Sequence, residues 1–181
     1  MHRGRFAPTP SGELHMGSLV CALASFLDVK KRGGEWLVRI EDVDALRCRT
    51  EFEYSILREL ERHGLQWDGS VVRQSEREEL YLDCLKELEQ RGLVFRCFCS
   101  RASLRSSGYL ENCHGELIYP GLCRSRSDGQ QRSYRGMQSS LRFAIGSGQY
   151  QFDDLIHGAV SGDVALEVGD FVVRRADGYI A

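Results

Sequence analysis

The stretch Arg5-Phe6-Ala7-Pro8-Thr9-Pro10-Ser11-Gly12-Glu13-Leu14-His15-Met16-Gly17-Ser18 decides how this chain is read. A short extended run is stopped by two prolines, Gly12 permits a turn, and from Gly17 a helical repeat runs through Leu19, Val20, Leu23, Phe26 and Leu27. The basic and glycine-rich Lys30-Lys31-Arg32-Gly33-Gly34 ends that helix. Trp36-Leu37-Val38-Arg39-Ile40 then reads as a nearly continuous apolar strand, as a parallel strand covered on both faces would be. Strand, helix and strand with a crossover of this length predict parallel pairing and a right-handed connection. A phosphate can sit against the free N–H groups at such a helix start, Gly17 keeps a side chain out of its way, and His15 can donate to its oxygens where charge builds up. A satisfied structural histidine is the plainer reading of His15, but fourteen consecutive positions behave here as one unit.

Further along, a helix is predicted from Thr50, read as its N-cap, with Phe52, Ile56, Leu57 and Leu60 on one stripe and Gly64 as its stop. A second amphipathic helix runs from Ser75 through Leu82, Leu85 and Leu88 to Gly92, and Ser75 with Glu78 has capping-box spacing. A strand over 94–98 leads into a cysteine segment, a Ser/Gly/Arg/Gln-rich stretch over 125–140, and short strands over 141–145, 150–156 and 170–175. Composition shifts near 93 and 140 divide the chain into 1–92, an inserted segment 93–140, and a return over 141–181.

The 181 residues are 42% hydrophobic and 28% charged, the profile of a soluble globular protein. No apolar run is long enough to span a membrane, and the N-terminus enters a strand pattern with no secretory apolar region, so a cytoplasmic location is expected. The net charge of −2 conceals an uneven distribution. Residues 1–90 hold 13 basic and 17 acidic side chains, 91–142 hold 9 and 3, and 143–181 hold 2 and 6. All the basic residues of the middle segment are arginines, whose forked donors match phosphate oxygens, although a solvated arginine-rich face has the same composition. Seven cysteines in a chain with no export signal argue against a disulfide framework. Cys21, Cys48 and Cys84 read as small buried hydrophobes. Cys97, Cys99, Cys113 and Cys123 fall together as a candidate metal site, with His114 in the same loop; four reduced thiols without metal are the alternative.

The opening run resembles the "HIGH" signature of class I aminoacyl-tRNA synthetases in the form used by the glutamate-activating branch, with His15-Met16-Gly17-Ser18 in the signature positions and Ser18 replacing the last histidine. The resemblance continues in Gly34-Glu35-Trp36-Leu37-Val38-Arg39-Ile40-Glu41-Asp42-Val43-Asp44, in Gly64-Leu65-Gln66-Trp67-Asp68-Gly69, and from Gly169 to Gly178. More narrowly, Cys97-Phe98-Cys99 followed by Tyr119-Pro120-Gly121-Leu122-Cys123 is similar to the glutamyl-queuosine tRNA(Asp) synthetase family, short paralogues of glutamyl-tRNA synthetase without an anticodon-binding domain.

The resemblance implies an α/β fold: the first half of a Rossmann-like, parallel-sheet class I synthetase catalytic domain with an inserted zinc-binding subdomain. It implies ATP-dependent, tRNA-independent activation of glutamate to glutamyl-adenylate, with Mg²⁺, and transfer to the queuosine base of tRNA(Asp) by a monomer. Glutamate is assigned to Arg5, Phe6, Ala7, Pro8, Thr9 and Glu41, ATP to Pro8, His15, Gly17 and Ser18, catalysis to His15, Gly17 and Ser18, and one structural zinc to Cys97, Cys99, Tyr119 and Cys123. Residue chemistry alone leaves Cys113 and His114 open as ligands in place of Tyr119, whose phenol gives up its proton reluctantly. Asp42 and Asp44 read as caps of the next segment. In the family the pattern continues with a tyrosine, a second parallel half, a further arginine and a lysine loop for ATP, so a C-terminal truncation is expected. The 181-residue chain by itself is expected to bind zinc without forming glutamyl-adenylate at a useful rate. The alternatives are a fragment of ordinary glutamyl-tRNA synthetase and a non-catalytic, zinc-stabilised RNA-binding remnant.

Overall fold

The strand–helix–strand reading is met by β1 (Arg3–Phe6), α1 (Met16–Lys31) and β2 (Glu35–Ile40). β1 and β2 run parallel with Arg3 opposite Glu35 and Phe6 opposite Val38, and β3 (Val72–Arg73) extends the parallel sheet in the order β1-β2-β3. The computed structural model describes residues 2–106, 115, 117–125, 136–146 and 148–181, and the chain divides into two compact units, Met1–Leu80 and Tyr81–Ala181.

In the first unit α1 lies against β1 closely enough that a Cβ on Gly4 would stand 2.3 Å from a methyl of Val29. Trp36, Val38 and Ile40 fill one face of β2 completely, whereas Leu37 and Arg39 on the other face are only half-buried. Trp36 takes Phe26 edge-on at 5.3 Å, stacks on Phe6 at 6.2 Å, and donates its indole N–H to Ser25 Oγ at 2.9 Å, so its one polar atom is satisfied inside the core. The expected helix over 50–64 is α2 (Thr50–Arg62), which contributes Ile56 and Leu60 to the same core. Its N-cap is Arg49, not Thr50, and no side chain caps it. The start is fixed instead by backbone: the Arg49 N–H donates to Pro10 O at 2.9 Å and its carbonyl accepts from Phe52.

Asp68, in the Trp67-Asp68-Gly69 run, accepts the Trp36 N–H at 2.8 Å and Lys30 Nζ at 2.6 Å. Lys30 and the Trp36 amide hold its carboxyl below the usual range. The segment expected to be one helix from Ser75 is a 3₁₀ turn, Ser75–Arg77, followed by α3 (Glu78–Gln90). Ser75 forms no capping box with Glu78: its N–H and hydroxyl both donate to Asp42, which therefore caps a turn 33 residues away.

The second unit holds β4 (Val94–Cys97), α4 (Arg101–Ser106), β5 (Ser140–Phe143), β6 (Gln149–Asp154), β7 (Gly158–Asp163), α5 (Val164–Glu167) and β8 (Val172–Arg174). β5 lies between β4 and β8 in an antiparallel sheet, and β6 and β7 form a hairpin. Sequence reading leaves out β7, whose Gly-Ala-Val-Ser-Gly-Asp has weak strand preference; it exists because six residues pair with β6 across the turn that Asp154 closes by accepting the N–H groups of Ile156 and His157. Among the described residues no helix is long and apolar enough to cross a membrane.

Candidate functional site

The loop after β1 and the first turn of α1 enclose an open cleft of about 570 Å³, a size suited to a small-molecule ligand. Phe6, Ala7, Pro8, Thr9, His15, Gly17 and Ser18 line it, together with Ser11 to Leu14, Cys21 and Ile56. Of the predicted glutamate and ATP residues only Arg5 and Glu41 are not in its lining. Arg5 is exposed near the end of β1. Glu41 follows β2 directly, and its N–H donates to Pro8 O at 3.0 Å, which ties it to the loop. Its Oε1 is held by Arg39 through Nε at 2.8 Å and through Nη2, and among the described residues its other carboxylate oxygen has no hydrogen-bond partner.

His15 is the N-cap of α1, with extended backbone. Its Nδ1 accepts the Ser18 N–H at 3.2 Å, and its Nε2 lies 3.0 Å from Ser18 Oγ. A neutral imidazole that accepts at Nδ1 carries its proton at Nε2, so Nε2 donates to the serine hydroxyl. The ring folds back over Gly17, where a Cβ would meet its Nδ1 and Cε1 at 3.1 Å. Gly17 therefore makes room for the imidazole as well as for a ligand. With Ser18 N–H taken by the ring and Leu19 N–H by the His15 carbonyl, the N–H groups of Met16 and Gly17 have no partner among the described residues and are open to an anion. Ser55 donates to Glu13 of the lining, and elsewhere on α2 the buried Glu53 holds Arg73 of β3 through Nε at 2.8 Å and Nη2 at 2.6 Å. Cys21, expected to be a small buried hydrophobe, instead lies on an exposed face of α1 at the cleft. Cys84 is likewise exposed, and Cys48 is half-buried, its Sγ 3.7 Å from Glu41 O.

A second group of residues stands in the second unit. Cys97 at the end of β4, Cys99 just after it, and Cys123 place their sulfurs within 4.8 Å of one another. Cys99 Sγ is 3.6 Å from Cys123 Sγ, and Cys97 Sγ is 3.5 Å from Tyr119 Oη. Around a tetrahedral zinc, two thiolates stand about 3.8 Å apart, and a thiolate and an oxygen about 3.5 Å. The residues present thus fit such an ion, with Tyr119 Oη in the oxygen position and the Cys123 N–H donating to it at 2.8 Å. Cys113 and His114 lie outside the described residues. Burial, then Cys123 and Cys97, push the Cys99 thiol up to about 12, and burial with the same two cysteines raises the Tyr119 phenol strongly. At Cys97 burial acts upward too but is outweighed by Tyr119, the Cys99 backbone and Arg142, so its thiol falls below the ordinary range.

Comparison with known proteins follows the same residues. Residues 2–180 match the family described as tRNA synthetases class I (E and Q), catalytic domain. The Glutamyl-Q tRNA(Asp) synthetase of Pseudomonas fluorescens is 45% identical over 178 residues, covering 98% of this chain and 55% of that protein. The protein of the same name from Methylococcus capsulatus is 45% identical over 180 residues, covering 99% and 56%. The crystal structure of a glutamate tRNA ligase from Elizabethkingia meningosepticum in complex with its amino acid superposes with a TM-score of 0.78 at 25% identity, covering 99% of this chain and 39% of that one. The chain spans a little over half the length of the curated relatives it matches. With the parallel β1-β2-β3 sheet, the glycine-started helix and a family match that runs almost from end to end, the chain belongs to the catalytic-domain family of the class I tRNA synthetases for E and Q.

Proposed function

We propose that the chain carries the nucleotide- and amino-acid-binding half of a synthetase that activates glutamate with ATP and Mg²⁺ and passes the glutamyl group to the queuosine base of tRNA(Asp). The observation that carries this reading is the single cleft in which Phe6 to Thr9, His15, Gly17 and Ser18 converge at the carboxyl end of parallel strands, the place where α/β sheets bind ligands. In this reading Pro8, His15, Gly17 and Ser18 hold the ATP phosphates, with the open Met16 and Gly17 N–H groups and the helix start opposing their charge. His15 Nε2, released from Ser18, donates to the oxygens of the α-phosphate as glutamate attacks it. Arg5 and Phe6 to Thr9 receive the glutamate, and the uncommitted oxygen of Glu41 takes its ammonium group. Cys97, Cys99, Tyr119 and Cys123 would hold one structural zinc within the segment 93–140, a four-ligand set of the structural rather than the catalytic kind, with 1–92 and 141–181 as the catalytic portions. The arginine-rich composition of that segment supports contact with the phosphates of the tRNA. A cytoplasmic monomer fits this work.

The test is calorimetric titration of the chain with a non-hydrolysable glutamyl-adenylate analogue and with its glutaminyl counterpart. Saturable binding of the glutamyl compound is expected, stronger than that of the glutaminyl one and weakened about tenfold, or 1.4 kcal/mol, in His15→Ala. Equal binding of the two analogues would remove glutamate as the substrate, and an unchanged His15→Ala would remove the imidazole from the site.

A further inference from the structure

Arg142 stands in the middle strand of the second sheet, opposite Phe95 of β4, and its environment is unusual for an arginine. Its guanidinium is half-buried, and among the described residues it makes no ion pair with a carboxylate. Among the described residues Nη1 donates to the neutral backbone carbonyl of Asp170 at 2.8 Å, the buried Nε has no partner, and the guanidinium also acts on the Cys97 thiol. The carboxylate of Asp170 is spent elsewhere, accepting from Ile145 N at 2.8 Å and from Arg124 Nη1 at 3.2 Å. A guanidinium withdrawn from water without an anion is costly, so something must stand opposite it. What the guanidinium does face is the cysteine cluster. Its carbon sits 4.1 Å from the centroid of the Tyr119 ring, over the face of the very side chain whose Oη is 3.5 Å from Cys97 Sγ.

We propose that Arg142 is the positioning residue of the metal centre, an inference that rests on the metal reading of Cys97, Cys99, Tyr119 and Cys123 given above. Three thiolates around a divalent cation leave one negative charge uncompensated in a largely buried pocket, and Arg142 supplies the missing positive charge. By standing over the phenol ring while anchored to the Asp170 carbonyl, it also fixes the ring so that Oη, rather than water, completes the tetrahedron. Asp170 serves the centre from both sides, since its carboxylate steers Arg124, the residue next to Cys123, while its carbonyl steers Arg142.

The experiment measures Zn²⁺ affinity by competition with a chromophoric chelator and records the visible spectrum of the Co²⁺-loaded protein, for the parent chain, Cys99→Ser, Arg142→Gln and Arg142→Lys. Arg142→Gln, which keeps a donor for the carbonyl but loses the charge, is expected to bind one ion about 10- to 100-fold more weakly, as removal of outer-shell partners does. Its Co²⁺ bands should shift because the fourth ligand is no longer held. Arg142→Lys is expected to recover most of the affinity, because the charge stays, while retaining the altered spectrum, because the planar guanidinium over the ring is lost. Parental affinity and spectrum in Arg142→Gln overturn the proposal, as does a loss in Arg142→Lys equal to that in Cys99→Ser; the lysine variant decides alone if the glutamine variant does not fold. Failure of the underlying reading is distinct: the parent would then take up neither ion, or Cys99→Ser would bind as the parent does.

Discussion

His15 and Gly17 are coupled more tightly than a phosphate-binding signature requires. The glycine is needed because the imidazole folds over it to cap α1 through Ser18, and an added Cβ would press on that ring at 3.1 Å. Gly17→Ala is therefore expected to separate stability from binding. Alanine suits the first turn of a helix, so the midpoint of urea unfolding should stay put or rise by up to about 1 kcal/mol in free energy. Affinity for the glutamyl-adenylate analogue should fall about tenfold as the ring is displaced. A loss of stability without a loss of affinity would mean that the contact at residue 17 matters to the fold alone. Ser18, which replaces the last histidine of the signature, acquires a definite place here: its N–H and hydroxyl satisfy both nitrogens of the one histidine that remains.

At the scale of elements, the tie between α2 and β3 is made by Glu53, which is 6% exposed and holds Arg73 by two donors on one oxygen. Glu53→Ala would leave Arg73 with only the exposed Glu76 as an acidic partner, and a cost of about 2 kcal/mol is expected in equilibrium unfolding. Glu53→Gln should cost less, since one acceptor survives, and no change in either variant would show that β3 is held by its two-residue pairing alone. This pair could not be read from sequence, because β3 is only two residues long and its partner lies 20 residues away. Helix ends were misjudged for a related reason. Thr50 and Ser75 are good capping residues by type, but the chain's own backbone at Pro10 and the carboxylate of Asp42 had already taken those roles from a distance. By contrast, the periodic apolar runs of α1 and α2 and the β1–α1–β2 order were legible, since they depend on local pattern and on how a crossover must close.

For the whole molecule, the stability of the second unit is expected to depend on whether its thiols carry a metal. Without one, Cys99 titrates near 12 in the fold and near 9 unfolded, and Tyr119 is raised as well. Groups raised in the fold contribute their stabilisation fully below the unfolded value and lose it as pH climbs through the folded one. Cys97, lowered in the fold, acts in the opposite sense but is one group against two. Chelator-treated protein is accordingly expected to lose thermal stability as pH rises from about 9 toward 12. With Zn²⁺ the sign reverses: the ligands must shed protons to bind, so affinity should tighten between about pH 6 and pH 8 with measurable proton release to a weakly buffered indicator. A pH-independent affinity would exclude thiol ligation. The sequence by itself determined the parallel α/β start and the grouping of Cys97, Cys99 and Cys123, which follow from short-range pattern, and its resemblance to known signatures gave the family. Only the tertiary structure decided that Arg5 and Glu41 stand outside the cleft lining that takes in the rest of the signature, that Cys21 is exposed beside it, and that Tyr119 stands with the three thiols. It likewise showed Arg142, a residue in an ordinary strand, facing them with no carboxylate partner among the described residues. These are contacts between residues tens of positions apart, and no local pattern records which charge a fold will bury without a carboxylate.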